Sequence, residues 1–73
     1  MWLKIEDRLF NLNTIEYINK LNNEIDVSFP SSINDNTMCI FRGTEKECKQ
    51  AYEEIIAAIQ SDMKYFDLHN TMF

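Results

Sequence analysis

Cys39, Cys48 and His69 are the residues of this 73-residue chain best suited to nucleophilic or metal chemistry. Structural zinc usually takes four Cys or His ligands, and the chain has two cysteines and one histidine. A cysteine nucleophile needs an adjacent base with an orienting group behind it, and nothing in the sequence folds His69 back onto Cys48. Two reduced, buried thiols and a solvated or interface histidine are expected. A Cys39–Cys48 disulfide stays open, because the two elements carrying these residues are adjacent.

The carboxylates do not form a catalytic pair either. Glu53 and Glu54 are neighbours on a helix and point about 100° apart. Glu16, Glu24 and Asp26 take solvent-facing strand positions. Gly43 is the only glycine, so a glycine-rich phosphate loop is excluded. The chain reads as non-enzymatic, with no cofactor and no metal.

The elements that must position these residues are a sheet and a helix. Trp2–Ile5 and Leu9–Leu12 are short β-prone runs joined through Glu6-Asp7-Arg8, a hairpin pattern. Asn13-Thr14 breaks the run with side chains that bond nearby backbone. Ile15–Leu21 fits a strand through Ile15, Tyr17 and Leu21, or a helical turn through Ile15, Ile18 and Leu21. Its β-branched and aromatic content favours the strand. Asn22-Asn23 follows as a turn whose asparagines tolerate positive φ. Glu24–Phe29 alternates cleanly, with Ile25, Val27 and Phe29 opposite Glu24, Asp26 and Ser28. Pro30 ends it, and a polar loop through Asn36 leads to a last strand, Thr37–Arg42, with Met38 and Ile40 opposite Cys39 and Phe41.

Gly43 permits a sharp exit into a helix. Thr44 and Glu47 match a capping box, and Glu45 and Glu47 suit the positive helix end. Cys48, Ala51, Tyr52, Ile55, Ile56 and Ile59 form one apolar face. The helix either stops at Ser61-Asp62 or runs on to about Phe66 through Met63. The fold class is therefore α+β: a small antiparallel β-meander of four to five strands packed on one C-terminal helix. Residues 1–62 make a single domain, and residues 63–73 a hydrophobic tail that is a helix extension or an interaction segment.

A domain of this size buries only about 60% of its unfolded surface, so a homo-oligomer is a natural stabilising device. The net charge of -5 and the absence of a basic run argue against general nucleic-acid binding, which draws on clustered Lys and Arg. No apolar run approaches the ~20 residues of a membrane span. The first residues lack a basic region followed by an apolar stretch, so a cytoplasmic location is expected. Abundant Asn, Ile and Lys suggest AT-rich coding, as in low-GC bacteria and their phages.

Trp2, Tyr65, Phe66, Leu68, Met72 and Phe73 exceed what one helix-on-sheet core needs. Exposed apolar clusters mark interaction sites, and aromatic residues anchor them. The tail either fills an edge or face of its own sheet or meets a protein partner, with Glu16, Glu24 and Asp26 as an acidic second surface. These features lead to a small protein-binding module, with a phage or mobile-element inhibitor of a host defence system (anti-CRISPR-like) as its setting. The alternatives are an oligomer that sequesters a nucleotide, with Arg8, Arg42 and Lys46 on phosphate and Trp2 or Tyr17 stacking on the base, and a housekeeping structural or regulatory protein.

The phrases Leu9-Phe10-Asn11-Leu12-Asn13 and Ile15-Glu16-Tyr17-Ile18, followed by the Gly43–Glu47 helix start, resemble a diffuse group of short Firmicute and phage proteins. The small flagellar FlbD-like proteins share this plan over roughly Leu9 to Ile59. The resemblance implies a β-meander closed by a helix. It transfers no catalytic or binding residue, and the hydrophobic tail beyond Met63 departs from it.

Overall fold

A computed structural model describes residues 1–30 and 36–68. The polar loop around Ile33 lies largely outside them, as do His69, Met72 and Phe73. The fold is α+β with one helix, as expected; the strands number six among the described residues and, instead of a single meander, divide into two three-stranded sheets that share one core with the helix.

The first sheet begins with a hairpin, β1 (Trp2–Ile5) and β2 (Arg8–Asn11), which pairs Ile5 with Arg8 across the two-residue turn Glu6-Asp7. Glu6 takes a left-handed conformation there (φ 55). A 3-10 turn over Leu12–Thr14 ends the hairpin. The Asn11 side chain accepts from the Asn13 amide at 3.0 Å, and the Thr14 hydroxyl donates to the Asn11 carbonyl at 2.9 Å. These are the local bonds by which Asn and Thr interrupt a strand.

The second sheet is the meander β3 (Tyr17–Lys20), β4 (Glu24–Phe29) and β5 (Asn36–Arg42). The strand reading of residues 15–21 holds at its centre. The asparagine turn closes with the Leu21 amide on the Glu24 carbonyl at 2.8 Å, and neither asparagine uses positive φ; among the described non-glycine residues only Glu6 and Asp62 do. Simple alternation fails in β5. Ile25 faces Phe41 and Asp26 faces Cys39, so Ile40 is an extra, bulged residue. The bulge lets both Ile40 and Phe41 join the core and leaves Met38 exposed.

The helix α1 (Glu45–Gln60) starts at the expected capping box. The Thr44 hydroxyl accepts from the Glu47 amide at 3.2 Å, and Glu47 Oε1 accepts from the Thr44 amide at 2.9 Å. Gly43 is needed here for room: a Cβ on it would sit 2.8 Å from Glu47 Oε1. The helix packs on β3 and β4. Its buried stripe is Cys48, Ala51, Ile55 and Ala58, spaced three and four apart as one helical face requires. Ile59, expected on that face, lies one residue beyond the stripe and is 44% exposed.

The helix does not run to Phe66. Asp62 turns left-handed (φ 57), the Met63 amide bonds the Ala58 carbonyl at 3.2 Å, and the Asp62 amide bonds the Ile59 carbonyl at 3.0 Å. This pair of bonds is a Schellman motif. It throws the chain back along the sheet as β6 (Tyr65–Asp67), which pairs in parallel with β1. Of the two destinations left open for the tail, residues 65–68 take the edge of the protein's own sheet. Leu68 is fully buried in the core beside Leu3, Ile5 and Phe10 from the first sheet, Ile25, Val27 and Ile40 from the second, and Ile55 from the helix. Burying side chains of this size contributes about 1.5–3 kcal/mol each.

Candidate functional site

Two stretches far apart in sequence, residues 12–18 and 59–63, converge on one groove. The residues after β2 supply Leu12, Ile15 and Glu16, β3 supplies Tyr17 and Ile18, and the helix end supplies Ile59, Asp62 and Met63, with Met1 and Asn13 closing the wall. The groove encloses about 320 Å³. Tyr17, Ile59 and Met63 are three of the eight exposed large apolar residues among those described, at 50%, 44% and 41%. They stay out of the core for local reasons. Tyr17 opens an edge strand, Ile59 is off the helix stripe, and Met63 is held outward by the Schellman turn.

A second groove, of about 230 Å³, begins on the far side of Met63. Glu54, Ala57, Ala58, Ser61 and Phe66 complete it. The three small residues Ala57, Ala58 and Ser61 make its floor shallow. Glu54 Oε2 is buried without a hydrogen-bond partner among the described residues. No lysine or arginine lines either groove.

On the outer face of the first sheet Trp2 stands opposite Tyr65 in the β1–β6 register, with Leu9 opposite Lys4 on the other side. Trp2 and Tyr65 are 45% and 48% exposed. The Lys4 ammonium lies 3.8 Å from the Asp67 carboxylate on the same face.

The outer face of the second sheet carries Glu24, Asp26 and Cys39, which bring one ligand atom each within 4.8 Å of one another. Two carboxylates and a thiol are a mixed oxygen and sulfur set that could approach a divalent cation. Glu24 is raised above the ordinary carboxylate range, chiefly by its hydrogen bond to Asp26 and then by the Asp26 charge, while Arg42 across the strand pulls it down. Asp26 Oδ1 has no partner among the described residues. Both cysteines are free thiols. Burial raises the Cys48 thiol above its usual range, which suits a packing residue rather than a nucleophile.

The residues expected to meet a partner are therefore dispersed. Glu16 lines the larger groove and Phe66 the smaller. Trp2 and Tyr65 pair on the first sheet, and Glu24 and Asp26 lie on the second. Leu68 is withdrawn from any surface: it is a core residue and not a contact. Arg8, expected to be available for phosphate, donates instead to main-chain carbonyls of β5. Sequence reasoning missed Ile59 and Met63 as groove residues because both continue an apolar helical period. The signal that could have separated them was Ser61-Asp62, a helix stop that turns Met63 off the helix.

No protein family, curated protein or solved structure matches this chain. No helix among the described residues is long and apolar enough to cross a membrane.

Proposed function

We propose that the chain is a small protein-binding module that engages its partner through the groove between β3 and the helix end. The observation that carries this reading is the convergence of exposed Tyr17, Ile59 and Met63 on one groove of mixed apolar and polar lining. Large apolar side chains gathered from separate elements into one exposed concavity mark an interaction site. Trp2 and Tyr65 offer a second aromatic contact on the neighbouring sheet, in the pairing typical of interface anchors. Inhibition of a bacterial defence system is the setting proposed for it.

The test is affinity capture from bacterial lysate with the wild type, Ile59→Asp and Met63→Asp compared by quantitative mass spectrometry. Both substituted side chains lie outside the core, and circular dichroism checks that the fold is retained. A protein retained by the wild type and lost from both variants supports the reading. Equal retention by all three proteins sinks it.

A further inference from the structure

We infer that the two grooves together take a cationic, apolar segment of the partner protein, with a lysine or arginine of that segment reaching Glu54. The inference rests on the protein-binding reading and names the chemistry that the site selects.

Every charged side chain lining the two grooves is a carboxylate: Glu16 and Asp62 in the larger, Glu54 in the smaller. The Met1 ammonium at one wall of the larger groove donates to the neutral Asn13 Oδ1 at 2.7 Å and keeps its charge, so the two grooves together hold three carboxylates against one ammonium. A segment entering from solvent therefore meets walls of mixed apolar and polar character with an excess of negative over positive charge. Complementary charge steers association and suppresses partners of the wrong sign.

Glu54 supplies the sharper signal. The residue is part-buried, and its shielded Oε2 has no hydrogen-bond partner among the described residues; an acceptor shielded from water without a donor is destabilising. An ammonium or guanidinium delivered into the smaller groove would supply that donor in a charge-assisted bond. Met63 lines both grooves, so one segment can seat an apolar residue against Ile15, Ile18 and Ile59 and place its cation across Met63. The unbranched thioether adapts to such a segment better than a branched side chain would. A second copy of this chain is a poorer occupant, because its net charge of -5 brings like charge to like. An anionic lipid surface is disfavoured for the same reason.

The test uses a displayed library of random linear peptides, selected on the full chain as wild type, Ile59→Asp and Glu54→Gln. The expected pool combines Lys or Arg with large apolar residues and is lost on Ile59→Asp. Its retention falls about tenfold or more on Glu54→Gln, with the difference shrinking as salt is added. Peptides that need Ile59 but show no cationic excess, or that ignore Glu54→Gln, overturn the inference and leave the protein-binding reading standing. Failure to enrich any peptide over the Ile59→Asp control also overturns it, and the lysate comparison then decides the broader reading by itself. A wild-type dimer that Ile59→Asp dissolves puts a second copy in the groove and overturns it as well.

Discussion

The Arg8 guanidinium donates to the main-chain carbonyls of Cys39 at 3.1 Å and Ile40 at 3.5 Å. Its carbon stands 5.1 Å from the centre of the Phe10 ring. Arg8 belongs to the edge strand of the first sheet, and Ile40 is the bulged residue on the edge strand of the second. One side chain thus joins two sheets at the place where an extra residue interrupts the ladder. Arg8→Met keeps most of the aliphatic stem and removes the donors. It should cost about 1 kcal/mol, a modest figure because the site is exposed to solvent. A lower urea midpoint with an unchanged slope is the expected result, and an unchanged midpoint would remove the link between sheets.

Asp62 holds a left-handed conformation at the C′ position of the helix, where glycine is the usual residue. Asp62→Gly should raise stability by roughly 0.5–1 kcal/mol, because it relieves the Cβ crowding that disfavours φ near +57°. Asp62→Val should lower it by at least as much. Thermal unfolding of the two variants side by side gives the sign in each case.

Local rules made half of this fold legible. The capping box is written in Thr44 and Glu47, and the alternation of Ile25, Val27 and Phe29 writes β4. Non-local pairing was not legible. Nothing near Tyr65 says that it will lie beside Trp2, because that pairing depends on where the helix ends and which way the chain then turns. The bulge at Ile40 escaped for a related reason: a single inserted residue reads as ordinary alternation until the partner strand is known. The grooves carry no motif at all. The larger one exists because residues 12–18 and the end of the helix, distant in sequence, are brought together, and Met63 links it to the smaller.

Gly43 and the capping box should behave as one unit. A Cβ at Gly43 would press on Glu47 Oε1 at 2.8 Å and on the Phe41 ring at 3.3 Å. Gly43→Ala should therefore displace the Glu47 carboxylate and lose the bond to the Thr44 amide. Losing the Thr44 hydroxyl alone costs about 1 kcal/mol. The double variant Gly43→Ala with Thr44→Ala should cost less than the sum of the single ones, because each breaks part of the same reciprocal pair. Strict additivity in a double-mutant cycle would show that the two positions act separately.

Leu68 makes the end of the described chain part of the core, not an appendage. It is fully buried, and its amide donates to the Lys4 carbonyl at 3.0 Å. Leu68→Ala should cost about 2–5 kcal/mol, in the range of other buried leucines. In a domain whose whole stability is on the order of 5 kcal/mol, that loss is close to unfolding. Tyr65→Ala, one strand residue on the outer face, should cost far less. Equal destabilisation by the two substitutions would argue against the observed register of β6.

Glu24 gives stability a pH dependence whose sign follows from its neighbours. Its folded-state value is raised, first by the hydrogen bond to Asp26 and next by the Asp26 charge. A carboxylate with a raised value binds its proton more tightly in the folded than in the unfolded chain. Its favourable contribution is therefore complete below the unfolded value and fades as pH rises through the folded one. Glu24→Gln removes the charge that must form beside Asp26. The variant should gain on the wild type at about pH 7, with the gain shrinking as pH falls through the raised folded-state value of Glu24 and gone once pH is below the unfolded one. Urea midpoints of both proteins across that window provide the measurement. A Glu24→Gln protein less stable than the wild type at neutral pH would mean that Arg42, the pairing partner of Glu24 across β4 and β5, governs this position instead of Asp26.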